Sequence, residues 1–161
     1  MIDADDKPES RWQQIRGALP ESIQAVTPRT PVENGWVSDP ISFYETPVRV
    51  GIWLMPNDLA RGGMLEDFAV QLIREGDVLL ERARLALDEI EKITEIGDQR
   101  FTPAHRSKAL IHTWLAWQRN PGRPMGTAIK AGYLKYDATP ALAFVAWLRR
   151  LFTPSSVPEV A

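Results

Sequence analysis

The sequence predicts an α/β chain whose later part is helical, and three observations carry that expectation. The stretch VRVGIWLM (48–55) alternates Val48, Val50, Ile52 and Leu54, then fills its other face with Trp53 and Met55. Apolar residues on both faces mark a central, buried strand. From residue 64 onward, apolar residues recur at three- and four-residue spacing, the period of amphipathic helices. The chain opens on MIDADD, of which residues 1–5 read as the last residues of a strand or the loop after it.

Each element follows from local chemistry. Asp6 is placed to cap a helix running to about Leu19, with Pro8 in its first turn and Trp12, Ile15 and Leu19 on one face. Prolines recur from Pro20 to Pro47, and SIQAV and ISFYE are short strand candidates there. Pro56 ends the central strand, and NDLARGG is a loop. MLEDFAVQLIRE is an amphipathic helix on Leu65, Phe68, Leu72 and Ile73, stopped by Gly76. Residues 77–96 form a longer helix with a stripe of Leu79, Ala83, Ala86, Ile90 and Ile93. Thr102 and Pro103 open another, PAHRSKALIHTWLAWQ, with Trp114 and Trp117 in its core face. RNPGRPMG is a loop, a short helix covers about 127–134, and Thr139 and Pro140 start a last helix with Phe144, Trp147, Leu148 and Leu151 inward.

Composition narrows the function classes. The 161 residues amount to one domain, or a domain with a helical extension, and a 44% apolar fraction excludes general disorder. A net charge of −2 supplies no global field to attract nucleic acid, so phosphate binding needs a local basic patch or bridging cations. The absence of cysteine removes disulfides, thiolate zinc sites and cysteine nucleophiles. No apolar run approaches membrane-spanning length and no secretory signal opens the chain, so the expectation is a cytoplasmic protein without a membrane partner.

Four residues are candidates for chemistry. Asp3 and Asp5 are two apart, so on a strand they project to one side and can bind a hard divalent cation. On spacing alone, an acidic start that favours the next helix's positive end explains them better. An EF-hand loop starting at Asp3 is excluded, because Pro8 stands at its glycine position and Gln14 at its bidentate glutamate position. Glu66 and Asp67 fall in the first turn of the helix after the central strand, where open α/β sheets bind ligands. Capping explains Asp67; the two glycines before Glu66 let the backbone approach something closely. Lys108 interrupts an apolar stripe of Ala104, Ile111 and Leu115, so it either snorkels outward or points into a polar cleft. His105 and His112 share a face as surface or packing residues, and the loop RNPGRPMG with Lys130 is basic enough to contact phosphate.

Taken together, IDADD…RW, VGIWLMPND…GGMLED and HRSKALIHTWLAWQRNPGRPMGTAI resemble an uncharacterised bacterial family of Toprim-like proteins. These are relatives of OLD-family nucleases, DnaG-type primases and the catalytic domain of topoisomerases. The resemblance spans about residues 2–152 and implies a single domain over 1–152, leaving 153–161 as a disordered tail. It implies a central, mostly parallel sheet with helices on its faces and a helical C-terminal part. It also implies that Asp3 and Asp5 hold Mg2+ (or Mn2+), that Glu66 completes the site or binds a second ion, and that Lys108 stabilises charge on a scissile phosphate. The family's glutamate-bearing strand, its helix and the next strand belong before Asp3, so the sheet is expected to be truncated at its N-terminal side.

Two functions from different classes follow. One is a Mg2+-dependent phosphodiester nuclease or related phosphotransfer domain acting on nucleic acid, inactive if the truncation removes a ligand. The other is a non-catalytic interaction module, in which an open sheet edge and an apolar face recruit a second copy or a partner chain that completes the sheet.

Overall fold

The computed structural model describes residues 1–43, 45–94, 97 and 100–153. The expected tail from 153 onward lies outside the described residues except for Thr153. The fold is mixed α/β and divides into two compact units, one of Met1–Gly62 with Leu142–Ala161 and the other of Gly63–Ala141.

The first unit holds the strands. In order they are β1 (Ile2–Asp3), β2 (Trp36–Val37), β3 (Ile41–Phe43), β4 (Thr46–Val48), β5 (Gly51–Ile52) and β6 (Leu54–Met55). Among the described residues they form three two-stranded sheets. β1 pairs parallel with β6, β2 antiparallel with β5, and β3 antiparallel with β4. The predicted central strand is therefore interrupted. Val48 belongs to β4, Arg49 and Val50 lie outside any strand, and residues 51–55 find one partner at each end. The reason is the shortness of those partners: each supplies only two paired residues. The burial prediction holds, because Ile52, Trp53, Leu54 and Met55 are all buried.

Helix α1 (Pro8–Ala18) starts with proline in its first turn, but Lys7 is the residue before it and no side chain caps it, in place of the expected Asp6 cap. Trp12 turns inward onto Ala4, Ile52 and Leu54, and its Nε1 donates to the Pro28 carbonyl at 2.8 Å. Partly buried Ile15 and Leu19 pack against the same cluster. SIQAV is helical, not a strand: α2 spans Glu21–Val26. Pro20 and Glu21 give it a helical start, Ile23 is its one buried residue, and the Thr27 hydroxyl closes it by donating to the Ile23 carbonyl at 2.7 Å.

The turn before β2 is pinned from the C-terminal segment. Trp147 Nε1 donates to the Trp36 carbonyl at 3.0 Å, and Arg150 donates to the carbonyls of Asn34 and Gly35 at 2.8 and 3.1 Å. Trp53 meets Phe144 edge-on and Trp147 at a tilt, with ring centroids 5.2 and 5.6 Å apart. That aromatic cluster leaves no room at Gly35. Its φ is +71°, and a Cβ there would stand 2.6 Å from Trp147 Cδ1 and 2.7 Å from Trp53 Cε3.

The second unit is helical. It contains α3 (Leu65–Gln71), α4 (Val78–Lys92), a 3-10 turn at Pro103–His105, α5 (Arg106–Ala116) and α6 (Met125–Ala128). Helix α7 (Thr139–Phe152) starts in this unit, and its part from Leu142 belongs to the first. α5 packs on both α3 and α4. Asp77 organises one end of this packing: its Oδ1 accepts from Leu80 N–H at 2.8 Å, capping α4, and from Trp114 Nε1 at 3.0 Å. Arg106 joins α5 to α4 by pairing with Asp88 and, at 3.1 Å, with Glu91.

Three expectations are corrected here. α4 buries Leu80, Ala83 and Leu87, whereas Leu79, Ile90 and Ile93 of the predicted stripe are exposed. Both stripes are apolar, and the sequence period alone does not choose between them. α4 ends at Lys92, with Ile93 extended; residues 95 and 96, also predicted helical, lie outside the described residues. Trp117, the C-cap residue of α5, is exposed, unlike Trp114.

Gly35→Ala should destabilise the protein by roughly 2–4 kcal/mol in urea unfolding, from left-handed strain plus overpacking. Gly17→Ala, in α1 with nothing within 4 Å of an added Cβ, should be neutral or gain up to about 1 kcal/mol. Equal effects at the two positions would contradict the packing of the Trp53–Trp147 cluster.

Candidate functional site

The four candidates form two groups, one in each unit. In the first unit, Asp3 ends β1. The Ile2 N–H donates to the Trp53 carbonyl at 3.1 Å and the Ala4 N–H to the Met55 carbonyl at 2.9 Å, so the backbone stays registered on β6 through Ala4. Ala4 is buried, while Asp3 is half-buried and Asp5 exposed. Asp5 then leaves the strand with φ +53°, in the left-handed region. Strand alternation therefore does not govern its side chain.

Asp5 is held from two sides. Gly62 (φ +73°) comes so close that a Cβ on it would stand 1.8 Å from the Asp5 carbonyl oxygen. Only glycine fits, and this is the close approach that the paired glycines foreshadowed. From the other side comes Arg11, one turn into α1. Its Nε donates to the Asp3 carbonyl at 3.1 Å, and its Nη2 stands 3.6 Å from the Asp5 carboxylate. Sequence reasoning missed Arg11, because one of its partners is a backbone carbonyl and the other is an aspartate turned left-handed. Asp5, Asp6, Lys7, Ser10, Arg11 and Gln14 line a cleft of about 250 Å³ at the carboxyl end of β1 and the start of α1. The cleft is mixed in charge. It offers carboxylates to a cation, and guanidinium, ammonium and hydroxyl groups to an anion.

In the second unit, Glu66 and Lys108 meet. Lys108 Nζ lies 3.8 Å from the Glu66 carboxylate; the lysine side chain is 57% exposed and the glutamate's 12%. Lys108 is thus largely in solvent, as the outward reading has it, with its ammonium near one carboxylate. Beside this pair, Asp67 accepts from the Met64 N–H at 2.9 Å and from the Ser107 hydroxyl. That is the capping role the sequence suggested, and it ties the start of α3 to the start of α5. His105 makes a local contact with Thr102 (Nδ1 to Oγ1, 3.2 Å), and His112 is exposed; neither joins the cluster. Among the described residues, no three Asp, Glu or His side chains form a group able to hold a metal ion.

Lys108→Met should change stability by less than about 0.5 kcal/mol, because a solvent-screened ion pair contributes little. Asp67→Ala should cost about 1–2 kcal/mol by removing the cap and orphaning the Ser107 hydroxyl. Thermal unfolding of the two variants checks this, and a larger loss for Lys108→Met than for Asp67→Ala would reverse the assignment.

No curated protein and no solved structure matches the chain. No helix among the described residues is long and apolar enough to cross a membrane. One family model matches over residues 1–153, described as a protein of unknown function, DUF3226. The chain therefore belongs to the DUF3226 family.

Proposed function

We propose that the protein is a Toprim-like domain for divalent-cation-dependent phosphodiester chemistry on nucleic acid, with the parallel β1–β6 pair as part of its central sheet. One observation carries the reading. A parallel strand ends in Asp3, and the cleft that opens after it at the start of α1 is lined by Asp5 and Asp6 but not by Asp3. Ligands of α/β sheets collect at the carboxyl ends of parallel strands.

The donor set suits Mg2+ or Mn2+, which bind through one or two carboxylates and keep several waters. Asp3 and Asp5 would hold the ion; when bound, it supplies Lewis-acid stabilisation of phosphoryl oxygens. Arg11 and Lys7 would orient a phosphate in the cleft that Asp5 lines, and in the ion-free protein Arg11 pairs with Asp5. Glu66 and Lys108 enter as a carboxylate with its counter-ion inside the second unit. In this reading Lys108 offers positive charge to a phosphate.

A second reading, a non-catalytic interaction module, is favoured by the same Arg11. A guanidinium 3.6 Å from the Asp5 carboxylate competes with any added cation for it.

Calorimetry with Mn2+ separates the two. The metal reading expects weak binding that vanishes in Asp3→Ala plus Asp5→Ala. It also expects binding about 2- to 5-fold tighter in Arg11→Gln, because a competing cation is removed from the carboxylate. Binding that survives the double substitution, or no binding in any of the three proteins, would leave the interaction module as the reading.

A further inference from the structure

Helix α4 has two apolar faces. Leu80, Ala83 and Leu87 make the buried one, within the helix layer where α4 packs on α5. The other face is exposed: Val78 is 70% accessible, Leu85 52% and Ile93 39%, with Ala86 half-buried among them. Leu79 and Ile90 border it. Arg82 and Glu89 interrupt this face; both are exposed, and neither has an ion-pair partner among the described residues. At 3.6 residues per turn, Val78, Arg82, Leu85, Ala86 and Glu89 fall within an arc of about 100°, and Ile93, the extended residue that ends the helix, follows them.

The order of these six residues is self-complementary. About the midpoint between Leu85 and Ala86, the symmetric positions are 85 with 86, 82 with 89, and 78 with 93. Each symmetric pair joins apolar to apolar or cation to anion. A second copy laid antiparallel on this face would meet its complement at every step, as a closed two-fold interface requires. A parallel copy would set arginine on arginine and glutamate on glutamate, which is unfavourable.

We propose that α4 is a homodimer face, on which a second copy of this chain docks antiparallel. Val78 packs against the partner's Ile93, Leu85 against the partner's Ala86, and Arg82 pairs with the partner's Glu89. The charge pattern identifies the occupant. Apolar area alone would suit many partners, but a cation and an anion placed symmetrically about an apolar centre match their own inverted copy. The 15 residues of α4 span only roughly 22 Å, so the dimer is a weak one that forms as concentration rises. This inference is independent of the phosphodiester reading.

Sedimentation of the full chain, from about 5 µM to about 1 mM, tests it by charge reversal. The wild type should move from monomer to dimer across that range. Arg82→Glu alone and Glu89→Arg alone should each raise the dissociation constant about tenfold or more, since like charges then face each other. An equimolar mixture of the two single variants restores opposite charges at both contacts, and so does the double variant Arg82→Glu plus Glu89→Arg. Both should recover wild-type association to within about threefold. If a single variant loses helical signal in circular dichroism, the double variant carries the test. The proposal is overturned by a wild type that stays monomeric, by a dimer indifferent to the single reversals, or by losses that neither the mixture nor the double variant recovers.

Discussion

The parallel pairing of Ile2 and Asp3 with Leu54 and Met55 is the constraint on which the first unit depends. Chain termini fray unless something holds them. Here the backbone bonds from Ile2 and Ala4 register the opening residues on a segment that is itself buried. Ala4 then joins Trp12, Ile52 and Leu54 in one cluster, so the hydrophobic gain and the hydrogen bonds act on the same few residues. Without that register Asp5 has no fixed position, Gly62 has nothing to approach, and Arg11 loses the carbonyl it binds.

The second unit buries an apolar core that includes Phe68, Leu72, Leu80, Ile111 and Trp114, and polar ties at helix ends fix how its helices meet. Asp77 serves a backbone cap and an indole with one oxygen, and Asp67 serves a cap and a hydroxyl with two. Such groups join neighbouring helices at fixed points, where apolar packing alone permits sliding. The Glu66–Lys108 pair is different in kind. Its lysine is largely in water, so its contribution is to charge balance around Glu66 and not to stability.

Much of this was readable from the sequence where one force dominates. The residues 51–55 are apolar on both faces, and they are buried. The last helix turns Trp147 inward as its spacing predicts. Asp67 caps where its position before an apolar run says it should. The failures come where two forces compete or where a distant contact decides. SIQAV has strand-like residues, yet Pro20 and Glu21 start a helix there. In α4, LLERARLAL offers two apolar stripes side by side, and only its partner helix selects Leu80 over Leu79. For the candidate site, Asp3 and Asp5 stood out as carboxylates. The left-handed turn at Asp5 and the reach of Arg11 depend on Gly62, far along the chain, and no local pattern announces them.

Amide hydrogen exchange at Ala4 tests the central claim most directly. Its N–H donates to the Met55 carbonyl at 2.9 Å, four residues from the start of the chain. If β1 is held on β6, this amide is protected on the order of 10³-fold, an opening free energy of about 4 kcal/mol, comparable to the amides of the buried strand segment. Exchange at the rate of an unstructured peptide would mean that the opening residues fray, and with them the position of both aspartates.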